Sequence, residues 1–232
     1  RAAEIIREGL YRGADGGYLL TDRAFAGADT LATSYALATA IKKIGDYDII
    51  IGGRQAIDGD TAQVGPQVAE KLGLTQVTYA EEILNVDEKN RSITVKRHID
   101  GGVETVEGPL PIVITVNGSA APCRPRNAKL VMKFKRALGA QEKAPAPACH
   151  PEGVSALSYP ELYEKRPYLN IPEWSVADVD GDLAQCGLSG SPTKVKAIQN
   201  IVFQAKESKT LTGSDKDVED LIVELLANHT IG

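Results

Sequence analysis

Residues Gly53 to Val64 read GRQAIDGDTAQV, and they follow the short β-branched run Tyr47 to Ile51 and the pair Gly52–Gly53. A strand that ends on glycines and runs into a helix leaves open backbone N–H groups at the helix start, where partial positive charge attracts phosphate. The expected donors are the amides of Thr61, Ala62, Gln63 and Val64, with the Thr61 hydroxyl and the Gln63 carboxamide beside them. Gly59 lets a ligand approach the backbone, and Arg54 brings a compensating charge. Asp58 and Asp60 oppose an anion, so Asp60 is read as the N-cap of a helix starting at Thr61 and Asp58 as an acceptor for a hydroxyl or amino group. A tight turn that binds nothing competes with this reading. The wording is neither GxGxxG nor GxxxxGK[ST], which disfavours NAD on a conventional dinucleotide turn and a kinase-type ATP site.

Upstream, TDRAFAGADTLATS repeats the plan of strand, glycine loop and capped helix. Two such loops can face one crevice beyond the strand ends. Thr30 and Thr33 stand one turn apart, where their hydroxyls could meet a polar ring edge or simply decorate a first turn.

These loops need a scaffold, and residues 1–116 alternate helix-like and strand-like segments. That pattern predicts an α/β fold: a mostly parallel, Rossmann-like sheet with flanking helices that binds an adenine nucleotide, followed by an extended C-terminal arm and a terminal helix. The expected elements are a helix to Leu10 stopped by Gly13, a strand over 17–20, and a helix over 30–44 between Asp29 and Gly45. The apolar stripe of that helix is Leu31, Tyr35, Ala38 and Ile41. A strand at 47–51, a helix over 61–72 closed by Gly73, and strands at 76–79, 92–98, 103–107 and 112–116 complete the set. Turns at Asp87–Asn90 and Asp100–Gly102 make the later strands partly antiparallel. Three regions follow: a nucleotide-binding core at 1–118, a partner-recognition and proline-rich arm at 119–185, and a C-terminal segment at 186–232.

Eight of the 12 prolines fall between Pro122 and Pro172, with KAPAPA at Lys143 to Ala148, so this stretch is extended over a surface. The run Lys216 to Asn228 places Val218, Leu221, Ile222, Leu225 and Leu226 on one helical face. That face docks on a partner or packs back on its own domain.

Composition excludes several classes. A net charge of −5 with 26 basic residues spread along the chain argues against nucleic-acid binding. No apolar run is long enough to span a bilayer and the first residues lack a signal-peptide core. Three separated cysteines, Cys123, Cys149 and Cys186, fit a reducing cytoplasm and form no metal set. The chain opens on Arg1 in what reads as mid-helix and its only methionine is Met132, so further residues are expected upstream. His98, His150 and His229 lack an acidic or thiol partner at ligand spacing and are expected in solvent. GLSGSPTKV at 187–195 is expected to be a structural turn rather than a phosphate loop. No catalytic set of Ser, His and Asp or of paired carboxylates emerges from spacing.

DRAFAGADTLATSYALA followed by GRQAIDGDTAQVGPQVAEKLG resembles the paired nucleotide loops of the electron-transfer flavoprotein small (beta) subunit, particularly its flavin-bifurcating branch. CRPRNAKLVMKFKRA is similar to that family's partner-recognition loop, EPRYxxLxxIMKAK, with Cys123, Arg124 and Asn127 as departures. The resemblance implies an electron carrier that binds FAD through Asp29, Thr30, Thr33, Gly53, Arg54, Gln55, Ala56, Gly59, Asp60, Thr61, Ala62, Gln63 and Val64. It implies NADH as donor, ferredoxin as low-potential acceptor, and two protein partners: a large FAD-binding subunit and an FAD-containing dehydrogenase of acyl-CoA or lactate type. Leu130 would anchor that dehydrogenase, with Arg126 and Lys133 beside it. Simple members hold a structural AMP at the same place, and a stand-alone ATP-binding regulator of the stress-protein type shares the general architecture. The chemistry would belong to the cofactor.

Overall fold

The computed structural model describes residues 2–140, 163–194 and 210–227, and the chain divides into two compact units, Arg1–Lys194 and Val195–Gly232. The KAPAPA stretch, Cys149, His150 and His229 lie outside the described residues.

The first unit contains the helices α1 (Ala2–Tyr11), α2 (Thr30–Ile44), α3 (Val64–Leu72) and α4 (Ala128–Phe134). Its strands are β1 (Leu19–Leu20), β2 (Ile49–Gly53), β3 (Thr75–Asp87), β4 (Ser92–Ile99), β5 (Gly102–Pro109), β6 (Ile112–Val116) and β7 (Glu173–Trp174). The main sheet has the order β2-β6-β3-β4-β5. β6 pairs in parallel with β2 and with the first residues of β3, whereas β3, β4 and β5 form an antiparallel meander. The α/β expectation and the hairpin turns hold in this mixed sheet, and β3 extends well past the strand expected at 76–79. Val77, Ala80, Ile93, Val95, Ile112 and Ile114 form its buried cluster. Each large aliphatic side chain there contributes about 1.5–3 kcal/mol of burial.

Where the two halves of the sheet meet, β3 slips register between Val77 and Ala80. The bulge is held from three sides: Arg97 donates to the Thr78 carbonyl at 2.9 Å and to its hydroxyl at 3.0 Å, the Tyr79 N–H donates to the Thr115 hydroxyl at 3.3 Å, and the Asn117 N–H donates to the Ala80 carbonyl at 2.8 Å.

Sequence signals set α2 as expected. Asp29 accepts from the Leu31 and Ala32 N–H groups, both at 3.0 Å, and Gly45 ends the helix at φ 60°. The buried face differs from the predicted stripe. Ala32, Ser34, Ala36, Ala38 and Ala40 are buried, while Leu31 remains 39% exposed. Small side chains let α2 approach its neighbours closely, which leaves the larger ones on the outside.

β1 stands apart from the main sheet and pairs in parallel with β7, 154 positions later. The stretch 172–194 then follows the first loop as a clasp. Asp22 accepts from the Val176 N–H at 3.1 Å, the Tyr35 hydroxyl accepts from the Asp182 N–H at 2.8 Å, and the Leu188 N–H donates to the Ala26 carbonyl at 3.0 Å. GLSGSPTK therefore packs as a structural turn over its described residues. A second apolar cluster of Ala3, Leu10, Phe134, Ala137, Tyr163, Leu169 and Ile171 lies under α1 and α4.

In the second unit, α5 (Asp215–Ala227) is capped locally: the Ser214 hydroxyl accepts from the Asp217 N–H at 3.3 Å, and Asp217 accepts from the Thr212 N–H at 2.9 Å.

Gly187 marks the closest approach of the clasp. Its φ is +51°, and a β-carbon there would lie 2.6 Å from the Ala26 carbonyl oxygen and closer still to that of Ala24. Gly187→Ala is expected to lower stability by about 2–4 kcal/mol, read from the denaturant midpoint.

Candidate functional site

The carboxyl ends of β2 and β6 and the bulge of β3 lie at the same end of the sheet, and the 54–63 loop leaves β2 there. Gly52 and Gly53 end β2, and at both a β-carbon would meet open space. Gly59 is open in the same way and does not adopt a left-handed φ. Nothing among the described residues requires glycine at Gly53 or Gly59, which suits a site that a ligand fills. Ile57, at the loop tip, is 98% exposed.

The loop enters its helix later than the sequence suggests. α3 starts at Val64 with Gln63 at the cap position, not at Thr61. Asp60 is not the N-cap: it sits at φ 50°, Ala62 at φ 53°, and the Gln55 side chain donates to the Asp60 carboxylate. Aspartate tolerates this region through its short side chain, so the polar run that reads as a cap instead twists the chain before the helix. The Asp60 N–H is used by the Ala56 carbonyl at 3.0 Å. Thr61, Gln63 and Arg54 are exposed and Ala62 and Val64 half-buried.

The two loops meet at one hydroxyl. Thr30 donates to the Gln63 carboxamide oxygen at 2.9 Å, and Gln67 donates to the Thr30 oxygen at 3.5 Å. A hydroxyl has a single proton, so the Gln67 contact directs it toward Gln63 and leaves the Gln63 NH2 group facing outward as a donor. Gln67 lies one turn beyond Gln63 on α3 and was not among the expected contacts, although its i+4 spacing is legible. Its carboxamide oxygen is buried without a partner among the described residues. Thr33 stands one turn after Thr30, half-buried.

Asp29 has another task. One carboxylate oxygen caps α2 and the other accepts from the Thr193 N–H at 3.3 Å. Burial pushes this carboxyl up, but the Ala32 and Thr193 N–H groups and the Thr193 and Ser191 hydroxyls outweigh it and hold it below the ordinary value. Asp22 is lowered by the N–H groups of Ala24 and Val176, Asp178 by the N–H and hydroxyl of Ser175, and Asp182 by the N–H of Ala184 and the Gln185 side chain. Four carboxylates therefore hold the clasp in their charged forms.

Around α4, Asn127 caps the helix and Arg126 pairs with Glu8 at 2.6 Å. The Arg12 guanidinium, with Arg126, keeps Glu8 below the usual carboxylate range. Lys133 lies over the Phe134 and Tyr168 rings at 4.7 and 5.1 Å. Leu130 is partly buried against the cluster under α1, while Met132 is 65% exposed. His98 is not alone in solvent: cross-strand pairing brings the Glu81 carboxylate to 3.6 Å. Among the described residues no group of three or more His, Cys, Asp or Glu could hold a metal ion, and no helix is long and apolar enough to cross a membrane.

The chain is similar in sequence to known proteins. A profile described as "Electron transfer flavoprotein domain" matches residues 1–145. The chain belongs to the electron transfer flavoprotein family. It is 37% identical over 227 residues to "Protein FixA" of Azorhizobium caulinodans, covering 96% of this chain and 69% of that protein. It is 40% identical over 196 residues to "Electron transfer flavoprotein subunit beta" of Clostridium acetobutylicum, covering 84% and 62%, and 40% identical over 204 residues to the protein of that name from Megasphaera elsdenii, covering 85% and 63%. The family profile takes in both loops, α4 and the whole main sheet.

Because the four lowered carboxylates bind protons less readily in the folded chain than in the unfolded one, their stabilisation is complete above the ordinary carboxylate pKa of about 3.9 and is lost as pH falls through the folded values. The chain's only tryptophan, Trp174, stacks on Tyr18 in this clasp at 4.1 Å and reports on it. Its fluorescence is expected to change on acidification below about pH 4, with a smaller acid-induced change in Asp22→Asn.

Proposed function

We propose that this chain is the small (beta) subunit of an electron-transfer flavoprotein of the flavin-bifurcating type, holding FAD through the loop Gly53–Val64 and the first turn of α2. The observation that carries the proposal is the Thr30–Gln63 hydrogen bond, which makes one crevice of two separate loops. The residues fit a diphosphate: open backbone at Gly53 and Gly59, an outward Gln63 NH2 group, the Arg54 guanidinium, and an Asp60 carboxylate engaged by Gln55. Bound flavin supplies electron transfer in steps of one or two electrons. The side chains bind, orient and screen it. Thr61 to Val64 hold the phosphates, and Thr30 and Thr33 lie on the side toward the ring.

NADH would be the donor, with ferredoxin and the flavin of a large FAD-binding subunit as the two acceptors and an FAD-containing dehydrogenase beyond. The surface of α4 and its flanking residues, with Arg124, Lys129, Met132, Lys135 and Arg136 exposed, is proposed as the dehydrogenase contact. Leu130 contributes its outer edge, and the apolar face of α5 docks on the large subunit. The setting proposed is the cytoplasm.

Cofactor content of the purified complex tests the reading. Two FAD per heterodimer is expected; one FAD and one AMP would replace bifurcation with a structural nucleotide, and a colourless monomer binding ATP would make it a regulator of the stress-protein type. Gly59→Val should leave the melting temperature within about 1–2 °C of wild type, since Gly59 has no strained φ and no close neighbour among the described residues. It should also strip this subunit's nucleotide, and wild-type occupancy in that variant would mean the loop is not the site.

A further inference from the structure

Tyr79 sits at φ 58° within β3. A bulky aromatic in this region is an outlier, since glycine adopts it freely and aspartate or asparagine with little strain. The bulge itself explains the backbone: register slips between Val77 and Ala80, and Arg97, Thr115 and Asn117 hold the three residues in place. It does not explain the tyrosine, because glycine would serve the bulge better. Strained residues of this kind persist where their side chains are needed.

The ring has a specific neighbour. The Arg54 guanidinium carbon lies 5.8 Å from its centroid, within the range of a cation–π contact. Arg54 is the first residue after β2, exposed at the root of the loop, and among the described residues no carboxylate pairs with it. A free arginine on a glycine-flanked loop would sample many rotamers. Lying over the Tyr79 ring, it is kept to one side of the crevice, above the carboxyl ends of β2 and β6.

We infer that Tyr79 is a positioning residue: its ring holds the Arg54 guanidinium at the crevice, where it binds the phosphate of a nucleotide. This rests on the loop Gly53–Val64 as a nucleotide cradle. It explains how a loop carrying Asp58 and Asp60 tolerates an anion, since the compensating cation is fixed rather than mobile. It also explains why the strained position carries an aromatic residue and not glycine.

The experiment compares AMP with adenosine on the full-length protein in its native complex, freed of endogenous nucleotide, by calorimetry. The two probes differ only in the phosphate. Tyr79→Asn removes the ring but suits the left-handed backbone, Tyr79→Phe keeps the ring, and Arg54→Gln removes the charge. Tyr79→Asn and Arg54→Gln are each expected to weaken AMP binding about five- to tenfold and leave adenosine unchanged. Tyr79→Phe should match wild type, and the double variant should be no weaker than either single one.

AMP binding by Tyr79→Asn within twofold of wild type, an equal loss of AMP and adenosine, or additive losses in the double variant would overturn the inference. Should Tyr79→Asn not fold, the wild type decides: ring current should shift the Arg54 side-chain proton resonances upfield, and AMP but not adenosine should move them. Unshifted resonances count against the pair. If wild type binds neither AMP nor adenosine, the nucleotide cradle itself fails along with this inference. Tight AMP binding with unaffected variants removes the Tyr79 role alone.

Discussion

The Thr30 hydroxyl is the point on which the site depends. Its oxygen is contacted by Gln67 at 3.5 Å, and its single proton goes to Gln63 at 2.9 Å. That arrangement brings the start of α2 and the loop after β2 to one crevice and fixes which end of the Gln63 carboxamide faces outward. Both helices must then be held still. α3 is pressed on the sheet at Gly65, where a β-carbon would collide with the Thr115 methyl group. α2 is held by Asp29, whose carboxylate caps the helix and grips the Thr193 backbone.

Through Asp29 the site reaches the distant end of the unit. The stretch 172–194 pairs with β1, meets Tyr35 and Asp22, and presses Gly187 against the 24–26 backbone. A chain region far away in sequence thus buttresses the first loop. Its anchors are charge-assisted hydrogen bonds to carboxylates held below their ordinary pKa, which are stronger than neutral ones. On the other side, Thr115 serves two elements at once: its methyl packs under α3 and its hydroxyl accepts from the Tyr79 N–H. The bulge, the helix start and the loop root are therefore coupled through one residue of β6.

Local signals carried much of this. Asp29, Gly45 and Gly73 marked helix ends that the structure keeps, because capping is settled within a turn. The hairpins at Asp87–Asn90 and Asp100–Gly102 were legible for the same reason. The start of α3 was not, since Asp60 has the chemistry of a cap but turns to φ 50° with Gln55 on its carboxylate. The buried alanines of α2 were hidden because a stripe reading favours large residues over the small ones that close packing selects. The pairing of β1 with β7 had no signal at all, being a parallel contact between two-residue strands on opposite sides of α4. Tyr79 reads as an ordinary strand residue, since its conformation arises only where a parallel edge turns into an antiparallel one. Leu130 carried the resemblance to a partner anchor, yet it is half used by its own core.

The central claim is that two loops form one nucleotide site, and hydrogen–deuterium exchange on the native complex, freed of endogenous nucleotide, tests it most directly. Adding ADP should slow exchange in residues 29–33 and in residues 54–64 together, with the same dependence on ADP concentration, since one ligand contacts both. Protection of one loop without the other, or protection confined to a different part of the chain, would contradict the account.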